Sequence, residues 1–196
     1  MELLSCKTVG HSTYAMEEFI RLIKAHGVTC IIDIRSMPYS RRNPQFNRET
    51  LRTDLQLNDI DYSYRGDRLG ARYSDLQLLF PGGKADFSKV AQLPQFQEGI
   101  QLVLDALKKG VRIALMCAEK DPFDCHRFIL VSRFLVKNAV KVEHIISEEK
   151  LLTQEELEDR LLKKYCHATS QLGLFEQRKT KDEQLEDAYV QRNKEM

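Results

Sequence analysis

No stretch of about 20 consecutive apolar residues occurs in the 196 residues, which excludes a membrane-spanning helix. Charge of one sign is not in surplus either. Thirty Lys and Arg stand against 29 Asp and Glu, a net of +1, so no global field draws the chain to nucleic acid or to a membrane. Binding to a polyanion would need a local patch. Repeats and low-complexity tracts are missing. So are the glycine-rich dinucleotide fingerprint, the P-loop, the HExxH pair and the GxSxG nucleophile elbow, and no cofactor can be named. The five cysteines are an odd number and no apolar run of signal-peptide length opens the chain, so free thiols in a reducing cytoplasm are expected. A chain of this length buries enough surface to fold without disulfides or metal.

What is present is strand–helix alternation. Cys6–Gly10 reads as a strand, with Ser12 or Thr13 able to cap the helix that follows. In that helix Met16, Phe19, Ile20 and Ile23 fall on one face, and Gly27 ends it. Val28–Ile34 is a near-continuous, β-branched apolar run, as a strand buried on both faces requires. Asn47 opens a helix carrying Leu51 and Leu55, and a short strand follows near Asp61–Tyr64. Residues 65–93 are marked mainly by loop glycines and prolines. An amphipathic helix then spans Gln95–Lys109, a strand Val111–Cys117, a helix Cys125–Asn138 and a strand Lys141–Ile146. This order predicts an α/β three-layer sandwich over residues 1–147, built on a mainly parallel sheet of about five strands. Residues 148–196 form a helical, charged extension in which Thr153 and Glu156 make a capping box. Beyond Gly173 the tail either docks as a helix around Leu185–Val190 or stays loose.

In parallel sheets, ligands bind beyond the carboxyl ends of the strands. Those ends read Gly10-His11-Ser12, Asp33-Ile34-Arg35 and Cys117-Ala118-Glu119. The densest cluster continues from Cys117 through Glu119, Asp121 and Asp124 to Cys125, His126 and Arg127, which fall at a helix start where anions bind and thiolates are favoured. Arg35 and Arg127 are therefore candidates to hold an anion. Cys117 or Cys125 is a candidate nucleophile, with His11 or His126 as base. Metal binding by Cys117, Cys125 and His126 is disfavoured, because C-x7-C-H is not a recognised zinc spacing and a fourth ligand would have to be His11 or Glu119. A purely structural account competes with all three: free cysteine is commonly buried, and His126 and Arg127 would then bond Glu119 and Asp33.

A second signal is arginine without lysine. No lysine lies between Lys24 and Lys84, yet eight of the 15 arginines fall within 35–72. Five acidic residues share that window, a local net of +3. Tyr39, Phe46, Tyr62, Tyr64 and Tyr73 are interleaved, as stacking on a base requires. Ordinary solvated arginines and core tyrosines are the alternative. His26, His144 and His167 are isolated and read as structural or surface residues, and Cys6, Cys30 and Cys166 have no ligand-like company.

Thr8-Val9-Gly10-His11-Ser12, the Asp33–Ser40 segment, Leu69-Gly70, and Met116–Glu119 followed by Cys125-His126-Arg127 resemble the family catalogued as domain of unknown function 488, over about residues 6–147 and the Leu185–Tyr189 tail. The resemblance implies a compact prokaryotic α/β domain without an established reaction, and a single pocket shared by those motif positions. A more distant likeness is to rhodanese-like sulfurtransferase and phosphatase domains. There a short loop joins cysteine to arginine, whereas here ten positions and three carboxylates separate Cys117 from Arg127, which argues against sulfur or phosphate transfer by Cys117.

The expectation is an enzyme acting on a phosphate-bearing substrate, a nucleotide or nucleic acid. Arg35 and Arg127 hold the anion, assisted by Ser12, Ser40, Cys125 and His126. Asp33 or Glu119 serves as acid/base, and His11 and Cys117 complete the reacting groups. The rival from another class is a non-catalytic nucleic-acid-binding or regulatory module using the 35–72 surface. A second copy of the chain is left open as a partner, and a membrane is not expected.

Overall fold

A computed structural model describes residues 3–166 and 179–196; His167 and Gly173 lie outside them. The elements of the sheet and its crossovers are β1 (Ser5–Gly10), α1 (Met16–Ala25), β2 (Cys30–Asp33), α2 (Arg48–Gln56), β3 (Asp61–Tyr64), α3 (Gly66–Leu69), α4 (Phe87–Val90), α5 (Pro94–Lys108) and β4 (Ile113–Cys117). A helix follows whose first turns, Arg127–Ser132, are of the wide π type before it tightens to α6 (Arg133–Lys137). Then come β5 (Lys141–Ile145), β6 (Leu151–Thr153), α7 (Gln154–Cys166) and α8 (Lys181–Glu195).

The six strands run in the order β3-β2-β4-β1-β5-β6, with only β6 antiparallel. Alternation along each strand separates two cores. Val9, Ile31, Ala114 and Met116 face α1 and α2, packing on Phe19, Ile23, Leu51 and Leu55. Ile32, Ile113, Leu115 and Cys117 face the other side, on α5, the 127–137 helix and the carboxyl-terminal helices. The chain leaves β1 in one direction across the first face and leaves β4 in the other direction across the second. The carboxyl ends of β1 and β4, which are neighbours, therefore form the switch point where ligands bind in such sheets.

Two local expectations change. Neither Ser12 nor Thr13 caps α1; the chain enters it through Ala15, whose N–H donates to Glu18, because Ser12 is held in the left-handed region at φ 48°. Residues 65–93 also carry two short α-helices rather than loops alone, with the Asp86 carboxylate accepting the Ser88 N–H at the start of α4.

Residues beyond 147 are stitched into the same body. β6 adds a sixth strand, and the Thr153–Glu156 box is made in both directions at 2.7 and 3.1 Å. Leu157, Leu161, Ala188 and Tyr189 join the second core. A buried polar relay ties these elements to the sheet. The Thr8 hydroxyl donates to His144 Nδ1 (2.8 Å), His144 Nε2–H to Gln154 Oε1 (3.1 Å), and the Gln154 amide to the Tyr189 oxygen (2.8 Å). Of the two fates open to the tail, docking is the one realised over α8.

Candidate functional site

Strand parity divides the candidate residues between the two faces of the sheet. Asp33 and Arg35 are two apart and point the same way, with Ile34 opposite. They lie with His11 on the α1/α2 side. There the Arg35 fork grips the Asp33 carboxylate through Nε (2.9 Å) and NH2 (2.7 Å), and NH2 also donates to the Phe46 carbonyl at 2.8 Å. The Tyr62 hydroxyl donates to the second Asp33 oxygen at 2.8 Å, and the Arg35 backbone N–H to the first at 3.1 Å. Burial presses the Arg35 pKa down, but the Asp33 hydrogen bond and charge overcome it and leave it raised; burial and the same carboxylate push Tyr62 up.

His11 stacks on Phe46 at 4.3 Å between centroids. Its Nδ1–H donates to the Ser12 carbonyl (2.9 Å), so Nε2 is the acceptor that meets Arg35 NH1 at 3.1 Å. Burial, then the Arg35 charge, lower its pKa to about 4. Asp33, Arg35 and His11 are thus mutually satisfied and enclosed. In this geometry the polar atoms of Arg35, Asp33 and His11, the groups expected to hold an anion and move protons, are engaged with one another.

His11 and His144 are two groups whose burial in the neutral form makes the fold sensitive to acid. Burial, then the Arg127 charge, hold His144 at about 3. Both folded-state values lie below the ordinary 6.5 of the unfolded chain, so the neutral rings contribute fully above that pH, and stability falls as pH drops from 6.5 toward 4 while the unfolded state takes up protons. The slope expected is about 1 kcal/mol per pH unit for each histidine. Urea midpoints between pH 7 and 4.5 measure it, and a His144→Gln variant should show a shallower decline. An equal slope in that variant would refute the assignment.

On the opposite face, the end of β4 meets the start of the 127–137 helix. His126 Nε2–H donates to the Ile34 carbonyl (3.1 Å), which turns its Nδ1 toward two sulfurs, Cys117 Sγ at 3.6 Å and Cys125 Sγ at 3.8 Å. The Arg127 backbone N–H points at Cys125 Sγ, 3.4 Å away. Glu119 is exposed as a residue, with its carboxyl near enough to Cys125 and Cys117 to interact with both thiols. The hydrogen bond between Cys117 and Cys125, with burial, raises the Cys117 pKa. Burial alone would raise Cys125 too, but the Cys117 hydrogen bond and the Arg127 and His126 charges lower it overall. His126 is pressed down by burial and raised on balance by the Cys125 thiolate, while Glu119 is raised by burial and then by Cys125. The three atoms Cys117 Sγ, Cys125 Sγ and His126 Nδ1 all lie within 4.8 Å of one another.

Arg127 is fully buried, and its guanidinium serves the loop: NH1 donates to the Glu119 carbonyl (2.6 Å) and NH2 to that of Lys120 (2.9 Å). It shapes the 118–121 turn through these two bonds, while its buried Nε has no hydrogen-bond partner among the described residues. Ser12 continues the β1–β4 pairing through its N–H to the Ala118 carbonyl. Ser40 is a turn residue, its hydroxyl accepting the Arg42 and Asn43 N–H groups. Of the interleaved aromatics, Phe46 is core and Tyr62 is tied to Asp33, so the set does not form one stacking platform.

A cleft of about 460 Å³ opens over the cysteine face, its wall including Arg72, Tyr73, Lys84, Glu119, Cys125 and His126. Asn193 and Met196 bring the end of α8 to the same wall. Glu119, Cys125 and His126 are marked in the sequence by their place at strand and helix ends, and Arg72 and Tyr73 by the arginine-rich window; Lys84, Asn193 and Met196 carry no motif that would assign them to a site. Ser36 positions them, its hydroxyl accepting the Ala71 and Arg72 N–H groups at 2.9 and 3.0 Å. A larger cleft of about 590 Å³ lies at the opposite, amino end of the strands, where Lys7, His26, Lys108 and Arg112 are the ionisable residues of the lining and no reactive cluster forms among the described residues.

Fold and site together define an α/β protein of the open parallel-sheet class with a polar, thiol-bearing cleft at its switch point. The model of the domain of unknown function DUF488 matches residues 15–134, more than half of the chain, and the chain belongs to that family. No curated protein and no solved structure matches it, and the likeness to rhodanese-like domains finds no support in these comparisons. Among the described residues no helix is long and apolar enough to cross a membrane.

Proposed function

We propose that this protein is an enzyme acting on a small phosphate-bearing molecule, a nucleotide by size, in the cleft over Glu119, Cys125 and His126. The observation that carries the reading is that Arg72 and Lys84 share this one cleft with Glu119, at the switch point of a parallel sheet. No carboxylate pairs with either cation among the described ion pairs; Arg72 NH1 donates to Met37 Sδ (3.0 Å) and Lys84 Nζ to the Lys194 carbonyl (3.1 Å), neutral acceptors that leave both charges uncompensated. Anion recognition passes from Arg35 and Arg127, which are engaged internally, to Arg72 and Lys84. Glu119 stands opposite them as the group that exchanges a proton with the substrate. Cys125 lines the floor but is buried, as is Cys117 beside it, so neither thiol is assigned the attack on substrate.

Calorimetric titration with inorganic phosphate, adenosine monophosphate and adenosine diphosphate tests this. Saturable binding is expected for at least the nucleotides, weakened about tenfold by Arg72→Ala and again by Lys84→Ala. Binding that ignores both substitutions, or none at millimolar ligand, sinks the proposal. Steeply salt-dependent binding of a single-stranded oligonucleotide, lost in Arg41→Ala and Arg42→Ala but not in Glu119→Gln, would instead favour the nucleic-acid module.

A further inference from the structure

We infer that Cys117 Sγ, Cys125 Sγ and His126 Nδ1 form a binding site for a borderline-soft divalent cation of the zinc class, with its remaining coordination position turned toward the cleft beside Glu119. The distances decide between this and a thiol–imidazole pair. A zinc ion held at about 2.3 Å from sulfur and about 2.0–2.1 Å from nitrogen sets those atoms about 3.6 Å apart along a tetrahedral edge. The sulfur–nitrogen separations here are 3.6 and 3.8 Å. A base that activates one nucleophile is aimed at that nucleophile, whereas Nδ1 sits almost equally far from both sulfurs.

Three further features agree. His126 donates its other ring nitrogen to the Ile34 carbonyl, the orienting bond that metal-bound histidines make, and this leaves Nδ1 as the coordinating atom. The Arg127 N–H points at Cys125 Sγ, a donor that supports a thiolate ligand. Cys117, Cys125 and His126 are at most 6% exposed, which shuts a bulky substrate off from the sulfurs while a bare ion fits among them. Two thiolates and a divalent cation also sum to zero charge, which a buried site favours. Softness of the two sulfurs selects zinc-like ions over magnesium or calcium. The unfamiliar C-x7-C-H spacing arises because the ligands come from the end of a strand and the start of a helix facing it, rather than from one knuckle.

The inference does not depend on phosphate binding, and its test reads the metal alone. The purified full chain, stripped with chelator and titrated with Zn2+ against a chromophoric competitor, should take up one equivalent. Co2+ should give the intense visible bands of a four-coordinate ion together with thiolate-to-cobalt charge transfer. Cys117→Ser, Cys125→Ser and His126→Ala should each weaken Zn2+ by about a hundredfold or more, while Cys6→Ser and Cys30→Ser leave it unchanged. If the ligand variants fail to fold, the wild-type cobalt spectrum decides: six-coordinate cobalt without sulfur charge transfer overturns the site. Equal losses in the Cys6 or Cys30 variants overturn it as well. Stoichiometric zinc in a protein that binds no nucleotide would refute the proposed function and leave this site standing.

Discussion

Asp33→Ala is expected to destabilise the protein by about 3–5 kcal/mol, because it strands the Arg35 guanidinium in the core without its counter-charge. Arg35 is 5% exposed and Asp33 fully buried, so water cannot replace the carboxylate. The loss spreads further, since Tyr62 gives up its acceptor and the Arg35 fork no longer fixes the Phe46 carbonyl and His11 Nε2. Replacing both partners, as in Asp33→Leu with Arg35→Met, should recover much of the deficit, because no buried charge remains. Urea unfolding of the two single variants and the double variant measures this directly. A single-variant loss below about 1 kcal/mol would mean that solvent reaches the pair and that Asp33 is available for chemistry after all.

Gly10→Ala should be almost as costly, and it should damage the site together with the fold. A Cβ at Gly10 would stand 1.8 Å from the Glu119 carbonyl oxygen and 2.7 Å from its carbonyl carbon. Both are backbone atoms, and the same oxygen is held from the other side by Arg127 NH1. The segment must move as a unit, at a cost of about 1–3 kcal/mol or more. Cys117 and Glu119 flank the displaced stretch. Zinc uptake and nucleotide binding should therefore fall together, whereas Gly82→Ala, whose Cβ would meet nothing within 4 Å, should change neither. Wild-type metal affinity in Gly10→Ala would show that β1 and the 118–121 turn are not in the contact described.

The strand ends were legible in the sequence because apolar, β-branched runs stop abruptly at ionisable residues. His11, Asp33, Arg35, Cys117 and Glu119 all stand where parallel strands deliver them. Their division was also implicit in parity: Asp33 and Arg35 share a face and Ile34 does not. Which face each strand turns to which core was not legible, since it depends on the crossovers. Residues 65–93 were obscure for a different reason. Their short helices lack the length for a period to appear, and Ser36, far away in sequence, fixes Arg72 by accepting its N–H. The end of α8 reaches the cleft wall through tertiary docking, through Asn193 on the Phe87 N–H and Arg192 on the Phe123 carbonyl.

By itself the sequence determined the alternation of strands and helices, the carboxyl-end location of the reactive residues and the family, because period, residue type and motif order are properties of the chain alone. Only the tertiary structure decided which of those residues meet. Arg35 turned out to be the partner of Asp33, Arg127 a clamp on the loop carbonyls, and Cys117, Cys125 and His126 a three-atom cluster beneath a cleft. Convergence of that kind depends on how β4 and the helix after it are set against each other, and spacing along the chain does not record that distance.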